Sequence, residues 1–202
     1  MPETPDDLDR LTAAQQALVP SFGLGFLKVT VPESVRHSVA EHFRRVLPHG
    51  RPEARNSYLL PSMPGATPSL LLEDPAFNQG ILDALHPIHE EWAGMKLRGT
   101  SCYGIRVYLR GSYLYNHVDV MQTHVISSTM CVDHELSSPW PLYIEDLDGR
   151  PHEVVMSPGE MVFYESARLR HGRPYPLDGE FYAGMFVHYA PLDWPYAEQP
   201  LP

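Results

Sequence analysis

The chain has 202 residues, of which 43% are hydrophobic and 20% are charged, and these proportions are typical of one compact globular domain. Its apolar stretches are too short to span a bilayer, which argues against an integral membrane protein. A formal net charge of -10 argues against nucleic acid as a partner, because phosphate binding needs a concentrated basic surface.

The first residues are polar and acidic, whereas a secretory signal would carry basic residues followed by an apolar run. We therefore expect a cytoplasmic protein. Residues 1–20 contain little to pack and are expected to form a partly ordered lead-in, and residues 21–202 are expected to form a single domain. Cys102 and Cys131 cannot build a disulfide framework or a cysteine-rich zinc site, and we interpret them as two reduced core thiols.

The first half of the domain is predicted to contain two helices. FGLGFLKVTV, which begins at Phe22, reads as a strand, and the segment after it, as far as Pro48, has apolar residues at helical spacing. Prolines and polar residues interrupt the stretch from Pro48 to Pro75, so we expect an irregular loop there with one short strand around SYLLP. A second helix is predicted from Pro75 to Gly94, because its apolar residues share one helical face.

From Ser101 onward, β-branched and aromatic residues recur in short runs separated by Gly, Pro and Asp, which predicts antiparallel sheet. LDGR, between two of these runs, is a candidate hairpin turn. The fold class is therefore α+β and mainly β, with helices first and a later β-sandwich or barrel that carries the function. Six runs are predicted as strands: YGIRVYLRG, THVISSTMCVD, PLYIEDLDG, HEVVMS, GEMVFYES and GEFYAGMFVHY.

The most informative segment for chemistry is LYNHVDV. His117 and Asp119 are separated by one residue, so on an extended strand both side chains leave the same face and one metal ion can reach both. His171, in RLRHGRP, is the candidate third ligand from elsewhere in the fold. Two histidines and one carboxylate on one face leave open coordination positions, which is the geometry for binding a bidentate oxoacid and then oxygen.

Two segments resemble the double-stranded β-helix dioxygenases of the prolyl 4-hydroxylase-like kind. GIRVYLRGSYLYNHVDV resembles that family's strand, turn and first metal pair, and SPGEMVFYESARLRHGRP resembles its segment leading to the distal histidine, over residues 100–190 in all. The resemblance implies a jelly-roll, cupin-like catalytic core with flanking N-terminal helices and with His117, Asp119 and His171 as ligands of Fe(II). It also implies that O2 and 2-oxoglutarate are co-substrates for hydroxylation, with release of succinate and CO2 and with ascorbate as a supporting reductant.

The sequence departs from that family at the residue that pairs with the distal carboxylate of 2-oxoglutarate. The family has a Lys or Arg there, about ten residues past the distal histidine, where this chain has Phe181. A dicarboxylate entering a barrel still needs a cation or several donors to offset its desolvation. Arg173 is the first candidate, and the alternative is a solvated arginine or one paired with Asp178 or Glu180. Further candidates are Tyr108, His124, Thr129 and His188.

Other residues near the proposed site have more ordinary interpretations. Arg106 and Arg110 alternate with apolar residues on one predicted strand. Such residues more often form the solvent-exposed face of a sheet than line the inside of a barrel. Trp140, flanked by Pro139 and Pro141, is interpreted as a surface anchor, with a position lining the substrate mouth as the alternative. Tyrosines precede the metal pair, and core packing explains most of them; they are Tyr103, Tyr108, Tyr113 and Tyr115.

Two other functions remain open from the residues alone. The same three ligands could hold zinc and activate water for hydrolysis, although no second acid-base residue stands beside the pair. A non-catalytic ligand-binding or sensor barrel is the other alternative, for which Phe181 is the best argument. For the oxygenase, the expected substrate is a small molecule or an amino-acid or peptidyl group, with no nucleic acid and no membrane as partner. The sequence leaves the oligomeric state open.

Overall fold

The computed structural model describes residues 25–53 and 68–197. The lead-in expected at residues 1–20 and the strand expected around SYLLP lie outside these ranges. Among the helices of the described ranges, none combines the length and the apolar character needed to cross a membrane.

Two α-helices precede most of the strands, as the sequence predicted. Helix α1 is Glu33–Val46 and helix α2 is Pro75–Ala93. The start of α2 is fixed by Asp74, whose side chain accepts a hydrogen bond from the backbone N–H of Phe77 at 3.1 Å. Its end is fixed by Gly94, which adopts a φ of 64° that glycine reaches without a steric penalty.

Eleven strands in the described ranges form two antiparallel sheets. The large sheet has seven strands in the order β1-β9-β6-β11-β4-β3-β2, and the small sheet has four in the order β5-β10-β7-β8. The strands are β1 Phe26–Thr30, β2 Arg51–Pro52, β3 Leu70–Leu72, β4 Leu97–Leu109, β5 Leu114–His117, β6 Ile126–Leu136, β7 Leu142–Glu145, β8 Pro151–Val154, β9 Glu160–Tyr164, β10 His171–Arg173 and β11 Gly179–Pro191.

The outer face of the large sheet packs against the two helices. Alternate residues of its central strands are apolar and buried there, because successive side chains in a strand point to opposite faces. They meet the apolar faces of α1 and α2 in one core cluster, which includes Ile105, Val107, Met130, Met185 and Val187 from the sheet and Val39, Phe43, Ile81 and Leu85 from the helices.

The inner face of the large sheet looks toward the small sheet. One part of this space is filled by a second, smaller core cluster of aromatic and aliphatic side chains from both sheets, which includes Tyr108, Val162, Tyr164 and Tyr182 from the large sheet and Leu142 and Ile144 from the small one. The rest of the inner face carries polar side chains. Two antiparallel sheets with helices on one outer side form the predicted jelly-roll architecture.

The predicted LDGR hairpin is confirmed, since β7 pairs with β8 and Gly149 between them adopts a φ of 77°. The short strands β5 and β10 were not predicted as separate elements, and β2 and β3 lie in a stretch expected to be mostly loop. Runs of two to four residues contain too little alternation to identify a strand, and pairing with neighbouring strands decides their conformation.

Candidate metal centre and its surroundings

Strands β5 and β10 bring two histidines side by side. His117 is the last residue of β5, His171 is the first of β10, and the two are directly paired in the sheet register. Asp119 follows two residues after His117, and its backbone N–H donates to the carbonyl of Ser166 at 2.8 Å, just before β10. The structure thus brings together the three residues that the sequence pattern singled out, with candidate ligand atoms that all lie within 4.8 Å of one another.

Backbone hydrogen bonds fix the orientation of both imidazoles. His117 Nδ1 donates to the carbonyl of Tyr115 at 2.8 Å, and His171 Nδ1 donates to the carbonyl of Leu169 at 2.8 Å. In the neutral ring, the Nε2 atom of each histidine therefore carries the lone pair. These Nε2 atoms lie 3.4 Å and 3.8 Å from Asp119 Oδ1, respectively, so two imidazole nitrogens and a carboxylate oxygen converge on one point.

The charges of Asp119 and His171 suit a cation at that point. Burial alone would raise the pKa of Asp119, but His117, His171 and His188 together hold the pKa of this carboxyl well below its usual range. Burial and repulsion from His117 lower the pKa of His171 to about 4. An ionised carboxylate and a neutral imidazole are the forms that bind a metal ion. Asp119 Oδ2 is buried and has no hydrogen-bond partner among the described residues, which leaves it free for such an ion.

Gly172 permits the close approach of the two strands that carry the histidines. A Cβ atom at this position would lie 2.6 Å from the carbonyl oxygen of Tyr115 and 2.8 Å from that of Leu114. Any larger residue would push β5 away from β10, because these neighbours are backbone atoms that cannot rotate aside. The glycine in RLRHGRP is therefore part of what positions the metal centre.

Arg173 lies inside the barrel in what we call the Arg173 pocket, which consists of Arg173, Trp140, Tyr108 and Tyr182. The guanidinium lies 4.5 Å from the ring centroid of Trp140 and 4.2 Å from that of Tyr182, and it donates a hydrogen bond to the carbonyl of Trp140. Arg173 is 4% exposed and has no carboxylate within ion-pair distance among the described residues. The hydroxyl of Tyr182 is buried beside the guanidinium of Arg173 and the thiol of Cys131. The pocket thus holds a buried cation with a neighbouring hydroxyl and no anionic partner among the described residues.

Two alternative interpretations of Arg173 do not agree with its position. It is not solvated, and the carboxylates of Asp178 and Glu180 are bound by the exposed Arg110, at 3.2 Å and 2.5 Å. Trp140, interpreted from sequence as a surface anchor, is 4% exposed and stacks on Arg173, so that interpretation is wrong. The flanking prolines place its chain segment in a connection but say nothing about where the indole points.

The side chain of Phe181 faces away from the barrel interior. Its ring lies 6.2 Å from that of Phe43 on α1, and the next residue, Tyr182, faces the Arg173 pocket. A cation at position 181 would therefore point toward α1. Arg173 on β10 brings a positive charge into the interior from a different strand.

The other residues proposed for 2-oxoglutarate do not all lie together. Tyr108 belongs to the Arg173 pocket, with its ring 5.1 Å from that of Trp140. Thr129 is buried on the inner face of β6. His124 lies elsewhere, stacked on His188 with the ring centroids 3.8 Å apart.

We call the group of His188, His124, Tyr103, Ser127 and Ser166 the His188 cluster. His188 Nδ1 lies 3.7 Å from Asp119 Oδ2, and Tyr103, whose hydroxyl bonds to His124 Nε2 at 3.0 Å, is 43% exposed. His188 and Tyr182 are six residues apart on the same face of β11, a separation of roughly 20 Å along an extended strand. The metal centre therefore has the His188 cluster on its open side and the Arg173 pocket on its enclosed side.

Arg106 also lies on the inner face, and it has a carboxylate partner. Its Nε and one terminal nitrogen donate to Glu53 at 2.7 Å and 2.5 Å, and its other terminal nitrogen donates to Tyr108 at 3.3 Å. The expectation of a solvent-exposed sheet face is wrong for Arg106, which is 8% exposed. Sequence reasoning missed Glu53, because it is 53 positions away along the chain and no local pattern connects the two residues.

Comparison with known proteins found likenesses among solved structures. No protein-family model and no curated relative matches the chain. A prolyl-4-hydroxylase from Pseudomonas putida superposes with a TM-score of 0.62 at 16% identity, covering 83% of this chain and 92% of that one. A prolyl hydroxylase from Trichoplax adhaerens, in complex with a hypoxia inducible factor peptide fragment, gives a TM-score of 0.61 at 12% identity and covers 88% of each chain.

A third similar structure is HygX from Streptomyces hygroscopicus, with nickel, 2-oxoglutarate and hygromycin B bound. Its TM-score is 0.57 at 14% identity, and the match covers 90% of this chain and 88% of that one. At such identities the likeness is one of fold. The chain therefore has the fold of the prolyl-4-hydroxylase-like 2-oxoglutarate oxygenases, and its own residues must carry any conclusion about chemistry.

Proposed function

We propose that this chain is an iron(II)- and 2-oxoglutarate-dependent oxygenase. The observation that carries the proposal is the convergence of His117 Nε2, His171 Nε2 and the Asp119 carboxylate on one point. Two histidines and one carboxylate on one side of a metal ion leave positions for a bidentate oxoacid and for oxygen. The shared fold supports the same assignment.

The residues around the centre fit both the metal ion and the oxoacid. His117, Asp119 and His171 would hold Fe(II), and the unpartnered Oδ2 of Asp119 is consistent with that role. Arg173 and the hydroxyl of Tyr182 would bind the distal carboxylate of 2-oxoglutarate, which would supply the anion that this buried cation lacks. Tyr108 and Thr129 would line the same space, whereas His124 belongs to the open side.

When bound, iron(II) and 2-oxoglutarate supply the activation of O2 that oxidises a C–H bond of the substrate. The protein contributes orientation and an environment. The carbonyls of Tyr115 and Leu169 hold both imidazoles in the tautomer that offers Nε2. Trp140 and Tyr182 enclose Arg173 and keep water away from the oxoacid end. No protein nucleophile or general base is required.

A small molecule is our proposed substrate, with an amino-acid or peptidyl group as the alternative. Both kinds occur among the similar structures, one of which holds a peptide fragment and another hygromycin B. We propose residues 21–202 as one oxygenase domain. The cytoplasm is the proposed compartment, and the free thiols of Cys102 and Cys131 support it.

The metal proposal is tested by anaerobic titration with Fe(II) and 2-oxoglutarate, followed by oxygen. We expect the visible absorption of an iron(II)–oxoacid chelate and then succinate, even without a substrate. His117→Ala, Asp119→Ala and His171→Ala should lose both signals, whereas the control His37→Ala, at an exposed position of α1, should keep them. Tight retention of zinc with neither 2-oxoglutarate binding nor succinate would overturn the proposal in favour of a hydrolase or a sensor.

The role of Arg173 is tested by comparing 2-oxoglutarate with 2-oxopentanoate, which has a methyl group in place of the distal carboxylate. Arg173→Met should weaken 2-oxoglutarate binding by about 100-fold, because a buried charge pair is lost, and should leave 2-oxopentanoate binding unchanged. Arg173→Lys should keep part of the preference, and Arg110→Met, at an exposed arginine, should keep all of it. Equal weakening of both oxoacids would mean that Arg173 acts only on the fold.

A further inference from the structure

The open side of the metal centre contains a histidine that the proposed iron and oxoacid sites do not use. His188 is 4% exposed and lies on the inner face of β11, with Nδ1 3.7 Å from Asp119 Oδ2. The ring of Tyr103, which is 43% exposed, lies 5.7 Å from that of His188, so an exposed side chain packs directly beside this histidine. His188 thus lies between an exposed residue and the proposed iron ligands.

A chain of hydrogen bonds determines which nitrogen of His188 carries the proton. Ser166 Oγ donates its one hydrogen to the carbonyl of His124 at 2.8 Å, so it must accept from Ser127 Oγ, which lies 2.5 Å away. Ser127 has then used its own hydrogen. It can only accept at its 2.7 Å contact with His188, and His188 Nδ1 must be the donor. In the neutral ring, Nε2 is therefore an acceptor with a free lone pair.

That lone pair has no partner in the described part of the chain. The Nε2 atom of His188 makes no hydrogen bond to the described residues, and it is not completely enclosed by them. It is therefore the atom of His188 that remains available to a ligand. An acceptor in such a place recognises a hydroxyl, amine or ammonium group.

The charges on this side disfavour an anionic substrate. Among the described residues, Arg106 and Arg173 are the buried arginines, and Arg173 lies at the other end of the interior. Arg106 is bound by both carboxylate oxygens of Glu53 and also donates to Tyr108, so its charge is already neutralised. Apart from the iron ion that Asp119 would help to hold, an incoming carboxylate or phosphate would meet no unpaired buried cation on this side among the described residues.

We infer that the site binds a neutral or cationic small molecule through a hydroxyl or ammonium group that donates a hydrogen bond to His188 Nε2. The inference rests on the proposed function, since it names the class of substrate for the proposed iron centre. His188 is then a substrate-positioning residue that holds one polar group of the substrate close to Asp119. Arg106, paired with Glu53, then offers no free positive charge to an anionic group.

The test uses ligand-observed NMR with polyol, aminoalcohol and hydroxycarboxylate fragments of matched size. Each fragment is applied to the metal-free protein and to the protein loaded with Zn(II) and 2-oxoglutarate, whose loading is measured separately. His188→Asn keeps a donor for Ser127 and removes the acceptor at the position of Nε2, whereas His188→Gln restores a polar group there. An Arg173→Met background identifies any carboxylate that binds in the Arg173 pocket instead.

Polyols or aminoalcohols should bind, and their binding should weaken about tenfold in His188→Asn and recover in His188→Gln, the factor expected for one hydrogen bond. Hydroxycarboxylates should bind the open side only after Glu53→Gln releases the charge of Arg106. The inference is overturned if hydroxycarboxylates are preferred by the wild type, or if no fragment binding depends on His188. Failure of the proposed function would appear instead as failure to load metal and 2-oxoglutarate.

Discussion

The outer and inner faces of the large sheet are built from the same strands, but their buried polar groups differ in whether they have hydrogen-bond or ion-pair partners. On the outer face, His89 of α2 is fully satisfied, since Nδ1 donates to the carbonyl of Leu85 at 2.8 Å and Nε2 accepts from Ser128 at 3.0 Å. On the inner face, Asp119 Oδ2 has no hydrogen-bond partner and Arg173 has no carboxylate within ion-pair distance among the described residues. Buried polar groups without partners reduce stability. Their concentration on one face therefore indicates that this face binds a ligand, which would supply the missing partners.

Arg106 gives the largest expected effect on stability, because it is the inner-face charge that does have a partner. Arg106→Met would leave the Glu53 carboxylate mostly buried without its cation, and we expect a loss of about 3 kcal/mol in the free energy of unfolding. Chemical denaturation of the metal-free protein measures it. The double variant Arg106→Met/Glu53→Leu should recover most of the loss, because replacing both partners of a buried pair by apolar groups costs little.

If the double variant lost the sum of the two single losses, Arg106 and Glu53 would not be coupled. Arg106 would then not be neutralised by Glu53. The inner face would contain a second free cation, and the contrast with Arg173 would disappear.

The outer face is tested by the pH dependence of stability, because His89 is a titratable group buried there. Burial lowers the pKa of His89 from 6.5 to about 3, so between these values the unfolded chain binds a proton that the folded chain does not. Stability from this group is fully present above about pH 6.5 and is lost as the pH falls toward 3. Its contribution should fall by about 2 kcal/mol between pH 7.5 and pH 5.

The measurement is the free energy of unfolding against pH for the wild type and for His89→Gln. The variant should lack this acid-induced loss, because glutamine does not titrate. His37→Gln, at an exposed position on α1, should keep the wild-type dependence. An unchanged profile in His89→Gln would mean that the outer face accommodates a protonated His89 in the folded protein.

How much the sequence could predict also differs between the two faces. The outer face follows from local patterns, since the apolar spacing predicted α1 and α2 and the β-branched and aromatic runs predicted the long strands that they cover. The spacing of His117 and Asp119 predicted that both face one side, and His171 was a candidate third ligand that the family resemblance supported. The jelly-roll fold is confirmed.

The interior could not be predicted in the same way, because its partners are far apart in the chain. Counting along the sequence led to Phe181, but the alternation of β11 turns that side chain toward α1. The charge inside comes from Arg173 on β10, a three-residue strand that has no recognisable pattern. Glu53 pairs with Arg106 across 53 positions, a contact that only the folded sheet creates.

Arg173 gives the smallest expected effect on the stability of the free protein, in contrast to Arg106. Its burial is not offset by an ion pair, so Arg173→Met should change the free energy of unfolding by less than about 1 kcal/mol or raise it, with methionine keeping contact with Trp140 and Tyr182. Wild type loaded with Zn(II) should gain stability as 2-oxoglutarate is added, because a ligand that binds only the folded state stabilises it, and Arg173→Met should gain little at the same concentrations. Thermal unfolding of both proteins with and without 2-oxoglutarate measures the two effects together. A variant that is strongly destabilised without ligand would mean that Arg173 is a structural arginine like Arg106, and the distal carboxylate would then need another partner.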